Sequence, residues 1–225
     1  MTRGIIADIT ELSEENYEKI YQLLDQNRKN IVDSYILERD RRLSAMSEFC
    51  LYYLISLECG YDNDLFVKVY RSNGKPYFFN NSKFFFNVSH SGTKCIVYIS
   101  QESEIGVDIE CLSRYKDSNL KEDIINLFEK EELSLIELGD NPLERALVLW
   151  TKKEALFKSL GTGTLKQILK QKLTREHLTE IESFICDEYV VSIANVSLCA
   201  PILDAKNIGI KKMIEHVKTW KSKND

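Results

Sequence analysis

Ile105-Gly106-Val107-Asp108-Ile109-Glu110 is the stretch on which the reading of this 225-residue chain turns. On a strand, Ile105, Val107 and Ile109 share one face, and Asp108 and Glu110 share the other. The two carboxylates then lie roughly 7 Å apart, at ~3.3 Å rise per residue. Such a pair, with substrate phosphates, is a usual way of holding Mg²⁺. A half-buried strand with a solvated outer face satisfies the hexapeptide equally well. A polar break, Gln101 to Glu104, precedes it. The boundary between two halves is therefore placed at residue 104, giving 1–104 and 105–225.

Outward from that strand, the patterns alternate without strict βαβ order. Met1 to Ile9 reads as an amphipathic strand, too short and too soon acidic for an export signal. Ser13 to Lys29 carries Tyr17, Ile20, Tyr21 and Leu24 at helical spacing, and Arg39 to Leu57 does so through Leu43, Met46, Cys50, Tyr53 and Leu57, with Gly60 as a stop. Residues 65–70 are β-type before the turn signal Ser72-Asn73-Gly74. Phe84 to Ser89 and Cys95 to Ile99 are strands around Ser91-Gly92-Thr93-Lys94. Leu120 to Leu138 is helical. Asn141-Pro142 opens a helix that reaches Leu160 and ends at Gly161-Thr162-Gly163. Asp187 to Ala194 is a strand, and the Lys-rich end after Ile210 is helical. Mixed helices and strands of this kind predict an α+β fold.

Composition narrows the function classes. The net charge of −5 argues against binding nucleic acid through bulk charge. No apolar run approaches the ~20 residues that span a bilayer. The six cysteines, at 50, 59, 95, 111, 186 and 199, form no C-x-x-C pair and no zinc spacing with the three histidines. Reduced thiols and a cytoplasmic location follow as the simplest expectation.

Several other residues carry chemical potential. Leu147, Trp150, Glu154 and Phe157 lie at i, i+3, i+7 and i+10, so Glu154 is expected on an apolar stripe, where it needs a cation. Lys158, four residues on, supplies one as an ordinary helix pair; a metal would serve as well. In Asn87-Val88-Ser89-His90-Ser91-Gly92, adjacent Ser89 and His90 face opposite ways on a strand and form no dyad. His90 is either a structural residue or a donor to an anion, with Ser89 and Lys75 as neighbours. Arg28, Lys29, Arg39, Arg41 and Arg42 are interrupted by acids, and a solvated helix face accounts for them.

Taken together these motifs resemble the Sfp-type 4′-phosphopantetheinyl transferases. The resemblance rests on Gly74-Lys75-Pro76, Phe86-Asn87-Val88-Ser89-His90-Ser91 and Gly106-Val107-Asp108-Ile109-Glu110. Phe128-x-x-x-Glu132 follows, and Trp150-Thr151-Lys152-Lys153-Glu154-Ala155-Leu156-Phe157-Lys158-x-x-Gly161-x-Gly163 closes it. They stand in the family's order over residues 74–163. The resemblance implies two similar α+β halves related by a pseudo-two-fold, with coenzyme A in the cleft between them. It implies transfer of 4′-phosphopantetheine from coenzyme A to a serine of an apo acyl or peptidyl carrier protein, with release of adenosine 3′,5′-bisphosphate.

By matching positions, Asp108, Glu110 and Glu154 would hold Mg²⁺, or Mn²⁺, with the pyrophosphate. Lys158 and His90 would contact the pyrophosphate, and Glu154 would act as the base for the carrier serine. Lys75, Pro76 and Ser89 would steady the phosphates or the adenylate end. Arg28, Arg42 and Ser44 would serve the 3′-phosphate, although Leu43 stands where the family commonly has Arg and Ile31 where a second lysine often lies. A basic docking patch for an acidic carrier is expected, with Lys116, Lys121 and Lys130 as candidates that a solvated helix explains equally well. The family serves peptide synthetases, polyketide synthases of secondary metabolism, and fatty-acid carriers, and a monomer is implied. The alternative is a non-catalytic relative that binds coenzyme A or a carrier protein.

Overall fold

A computed structural model describes residues 1–59, 66–72, 74–81, 83–116, 128–137, 140–161, 173–174, 177, 179–195 and 201–223. Gly60, Asn73, Lys121, Thr162 and Gly163, and the first part of the helix expected over Leu120 to Leu138, lie outside them.

The first half is built on β1 (Thr2–Asp8), β4 (Phe85–Ser91) and β5 (Lys94–Ser100). β5 pairs antiparallel with both β1 and β4. Its run of apolar residues is buried on both faces, which is why it reads as continuous rather than alternating. Cys95, Val97 and Ile99 face the helices α1 (Glu14–Leu23), α2 (Gln26–Ser34) and α3 (Glu38–Ser56), joining Ile20, Met46, Phe49 and Leu54 in one core. Ile96 and Tyr98 face the other way, into a second core with Ile105, Val107, Ile109, Val191 and Ile193. Gly4, opposite Tyr98 across the β1–β5 ladder, leaves room for that ring: a Cβ there would lie 2.3 Å from it.

That second core is the contact between two sheets. The second sheet is antiparallel, in the order β6 (Gly106–Cys111), β8 (Tyr189–Ala194), β7 (Ile181–Cys186). Against its outer face lies α5 (Pro142–Leu160), steadied by α4 (Lys130–Glu137). Asn141 caps the first turn of α5 and Gly161, with φ +60°, ends it in the left-handed region, as the sequence predicts. The layers thus run helices, sheet, sheet, helices. A small ribbon, β2 (Lys68–Tyr70) with β3 (Pro76–Phe78), stands beside the first sheet.

Two expectations change, and one strand goes unread in the sequence. Ser13 to Lys29 is not one helix: α1 stops at Leu23, and Asp25, accepting from the Arg28 amide, caps a second one. Residues 179–188 hold β7, which carries no strong apolar alternation. The segment from 202 onward, grouped by sequence with the second half, returns to the first. There β9 (Ile202–Asp204) pairs parallel with β1, and α7 (Ile210–Lys221), entered through the short α6 (Ala205–Ile208), buries Met213, Ile214, Val217 and Trp220 in the first core. Among the described residues Cys50, Cys59, Cys95, Cys111 and Cys186 are free thiols, and no helix is long and apolar enough to cross a membrane.

Candidate active site

The site lies where β4 meets β6. These are edge strands of different sheets, and side chains rather than a main-chain ladder join them. On β4 the alternate residues Asn87, Ser89 and Ser91 share the face that also carries Ile96 and Tyr98 on β5. Asn87 Oδ1 accepts from the Val107 amide at 2.9 Å. Ser89 donates to Asp108 Oδ1 at 2.8 Å, and Ser91 donates to Glu110 Oε2 at 2.6 Å while accepting from the Cys111 amide. Each strand thereby covers the other's exposed edge. Asp108 is consequently buried, at 3% exposure, rather than on a wet face.

The approach of α5 completes the site. Its buried side chains include Leu147, Thr151, Ala155 and Ser159, at every fourth position, and Thr151 bonds Ser192 on β8 at 2.7 Å. Gly106 lies against the helix so closely that a Cβ would come 1.9 Å from the Ala155 carbonyl oxygen. Glu154 and Phe157 lie on the flank of this stripe, not on it as the spacing had suggested. After Leu147 the stripe is made of small residues, which carry little hydrophobic signal. That flank position brings Glu154 and Lys158 to the carboxylates of β6.

Lys158 Nζ donates to Asp108 Oδ1 at 2.6 Å and lies 3.1 Å from Ser89 Oγ and 3.7 Å from Glu154 Oε2. Burial works against its charge, but Asp108 and Glu154 more than offset that and hold the ammonium above its usual pKa. Burial and the charge of Asp108 push Glu154 up to about 7, and Lys158 counters them only in part. Burial likewise raises Glu110, with Ser91 and Tyr115 bonding it from the other side.

These groups fit a hard divalent cation. Three carboxylates repel one another in a partly dry site, and Asp108 Oδ2 is buried with no hydrogen-bond partner among the described residues. Among the described residues no three His, Cys, Asp or Glu groups close on one point. The Lys158 ammonium instead stands in as the cation between Asp108 and Glu154.

The other predicted residues divide. His90 lies on the opposite face of β4 from Ser89 and is exposed; partial desolvation by the surrounding chain and then Lys158 lower its pKa, with Asp40 and Arg28 also in electrostatic reach. Arg28 and Ser44 meet, the guanidinium donating to Ser44 Oγ at 2.8 Å and pairing with buried Glu48 at 3.4 Å. Arg42 lies elsewhere, bound to Glu38, Glu14 and the Leu12 carbonyl. Lys75, beside Pro76 at the head of β3, is buried and bonded to the carboxylate of Glu104. Lys116 pairs with exposed Glu188, and Lys130 opens α4.

Residues that the sequence reading left out include Asn87 and Ser91, whose signal was their period-two spacing with Ser89. Arg114, which donates to Ser91 Oγ at 3.0 Å and lies 3.6 Å from Glu110, gave only its position four residues after Glu110. Lys153, with no exposure, pairs with Glu132 at 2.7 Å beneath Phe128 and ties α5 to α4.

Comparison with known proteins finds relatives over both halves of the chain. The profile of the 4′-phosphopantetheinyl transferase superfamily matches residues 104–195, and that of the 4′-phosphopantetheinyl transferase N-terminal region matches residues 11–102. The 4′-phosphopantetheinyl transferase AcpT of Salmonella typhi is 32% identical over 135 residues, covering 59% of this chain and 66% of its own. AcpT of Escherichia coli O157:H7 is 35% identical over 102 residues, 45% of this chain and 51% of its own. The L-aminoadipate-semialdehyde dehydrogenase-phosphopantetheinyl transferase of Schizosaccharomyces pombe is 28% identical over 177 residues, 72% and 68% of the two chains. The match therefore spans between half and two thirds of the AcpT proteins.

Proposed function

We propose a function from one premise: this chain belongs to the 4′-phosphopantetheinyl transferase superfamily. The reaction is transfer of 4′-phosphopantetheine from coenzyme A to a serine hydroxyl of an apo acyl or peptidyl carrier protein. The observation that carries this reading is the Lys158 ammonium of α5 held between Asp108 of β6 and Glu154 of its own helix, with Glu110 in electrostatic reach. We read the first sheet with its helices, including the returning residues 202–221, and the second sheet with α4 and α5 as two halves related by a pseudo-two-fold, with coenzyme A in the cleft between them.

Asp108, Glu110 and Glu154 would hold Mg²⁺ or Mn²⁺. When bound, the ion supplies charge neutralisation for the pyrophosphate oxygens. In the reaction the serine Oγ attacks the pantetheine-side phosphorus, and the P–O bond to the adenosine 3′,5′-bisphosphate breaks. Glu154 takes the hydroxyl proton. Lys158 keeps its proton and neutralises the departing phosphate. His90, on the opposite face of β4 from Ser89, would donate an N–H to the pyrophosphate. Ser89 orients Asp108 and Lys158 together, while Arg28, bonded to Ser44, would serve the 3′-phosphate.

The test is intact-mass spectrometry of apo carrier proteins incubated with the protein, coenzyme A and Mg²⁺, with and without EDTA. A metal-dependent gain of one phosphopantetheine is expected. No gain on any acyl or peptidyl carrier would favour a non-catalytic binding relative. Loss of coenzyme A without carrier modification would make the protein a phosphohydrolase.

A further inference from the structure

Lys75 reaches the site from the first half. Gly74, with φ +85°, turns the β2–β3 hairpin so that the Arg71 amide bonds the Lys75 carbonyl at 3.0 Å. This delivers a lysine whose side chain is only 7% exposed. An ammonium has three donors, and among the described residues three protein acceptors receive them: Glu104 Oε2 at 2.6 Å, the Ser159 carbonyl at 3.1 Å and the Ile105 carbonyl at 3.3 Å. Arg71 holds Glu104 from its other oxygen.

The two carbonyls are informative. Ser159 lies in the last turn of α5, where carbonyls lack helical partners and a cation is favoured; it directly follows Lys158. Ile105 directly precedes β6, three residues before Asp108. Between these two points Gly106 meets the helix backbone with no side chain between. One ammonium therefore bridges the start of the strand that carries Asp108 and Glu110 and the end of the helix that carries Glu154 and Lys158.

We propose that Lys75 is a positioning residue that sets the separation of β6 and α5, and so the separation of the carboxylates, rather than a ligand of a substrate phosphate. The inference rests on the transferase reading. A lysine in a phosphate site keeps donors for the phosphate; this one has given all three to the protein. Its loss leaves every carboxylate present but frees an orphan helix carbonyl and relaxes the strand–helix closure.

Three proteins test this: the wild type, Lys75→Met and Glu104→Gln, the last keeping the ammonium but weakening its hold. Mn²⁺ binding to the protein without coenzyme A is read by electron paramagnetic resonance, coenzyme A binding without metal by calorimetry, and kcat and KM by carrier modification. Lys75→Met is expected to weaken Mn²⁺ binding by about 10-fold or more, the usual range for a residue behind metal ligands. Its kcat should fall in step, while metal-free coenzyme A binding and KM keep the wild-type values. Glu104→Gln should show the same split, smaller. Weakened coenzyme A binding with unchanged Mn²⁺ binding would overturn the proposal and make Lys75 a substrate ligand. If Lys75→Met does not fold, the same split in Glu104→Gln decides, and wild-type values on both arms overturn it. Failure of the wild type to modify any carrier would defeat the transferase reading alone, since the Mn²⁺ arm needs no turnover.

Discussion

Lys158 Nζ lies 2.6 Å from Asp108 on β6, nearer than the 3.7 Å to Glu154 on its own helix. The bond that matters thus runs between two layers, not along one helix. It keeps a cation between two carboxylates that would otherwise be buried and repelling.

Replacing Asp108 by Asn removes one carboxylate and the anchor of both Ser89 and Lys158. We expect a folded protein whose transfer rate falls by at least about 100-fold, and whose Mg²⁺-dependent rise in melting temperature disappears. Near-normal transfer would remove Asp108 from the metal site.

The metal-free protein should lose stability as pH rises through the window from 4.5 to about 7. Glu154 has a folded pKa above its unfolded value, so the folded chain binds the extra proton there and the unfolded chain does not. The loss approaches about 3 kcal/mol at most. Glu154→Gln should flatten that slope in urea titrations at several pH values and should also abolish the stabilisation by Mg²⁺. An unchanged slope would show that Glu154 ionises normally.

Lys158→Ala should depress kcat more than it raises KM for coenzyme A, because the cation acts mainly on the departing phosphate. The metal-free variant should also lose about 3 kcal/mol, since the buried Asp108 is left without its ion-pair partner. A change confined to KM would make Lys158 a binding residue only.

Gly106→Ala places a methyl group into the Ala155 backbone, which cannot move aside as a side chain tip can. A loss of about 3 kcal/mol is expected, at the top of the usual range for overpacking. Circular dichroism melts measure it, and a wild-type melting temperature would mean that β6 and α5 separate easily.

The Lys153–Glu132 pair predicts a different pattern. Lys153→Met alone leaves Glu132 buried and charged and should cost about 3–5 kcal/mol; adding Glu132→Leu should recover most of that loss. Urea denaturation of the two single variants and the double variant closes the cycle. Additive losses would show that the pair does not act as a unit.

What the sequence reveals and hides follows from the range of each interaction. The strand at 106–111 and the helix at 142–160 are legible because alternation, an Asn-Pro start and a glycine stop are local signals. The carboxylates and Lys158 are legible through a motif that the family shares. The α5 contact face is not, because Thr151, Ala155 and Ser159 are chosen for smallness at a close backbone approach. Ser89 to Asp108 and Lys75 to Ser159 are hidden for another reason: 19 and 84 residues separate the partners, and no periodicity connects them. The single helix read over Ser13 to Lys29 failed on one residue, Asp25, whose capping role competes with continuation.

The return of residues 202–221 to the first sheet bears on how the chain is made. β1, β4, β5 and α3 have all left the ribosome about a hundred residues before Met213, Val217 and Trp220 appear, yet those three complete their core. During synthesis the earlier half must wait with an uncovered apolar surface while the later sheet and its helix assemble. Maturation is thus closed by the segment translated last of those described, and a ribosome stalled before residue 202 would present a chain that chaperones bind and proteases cut.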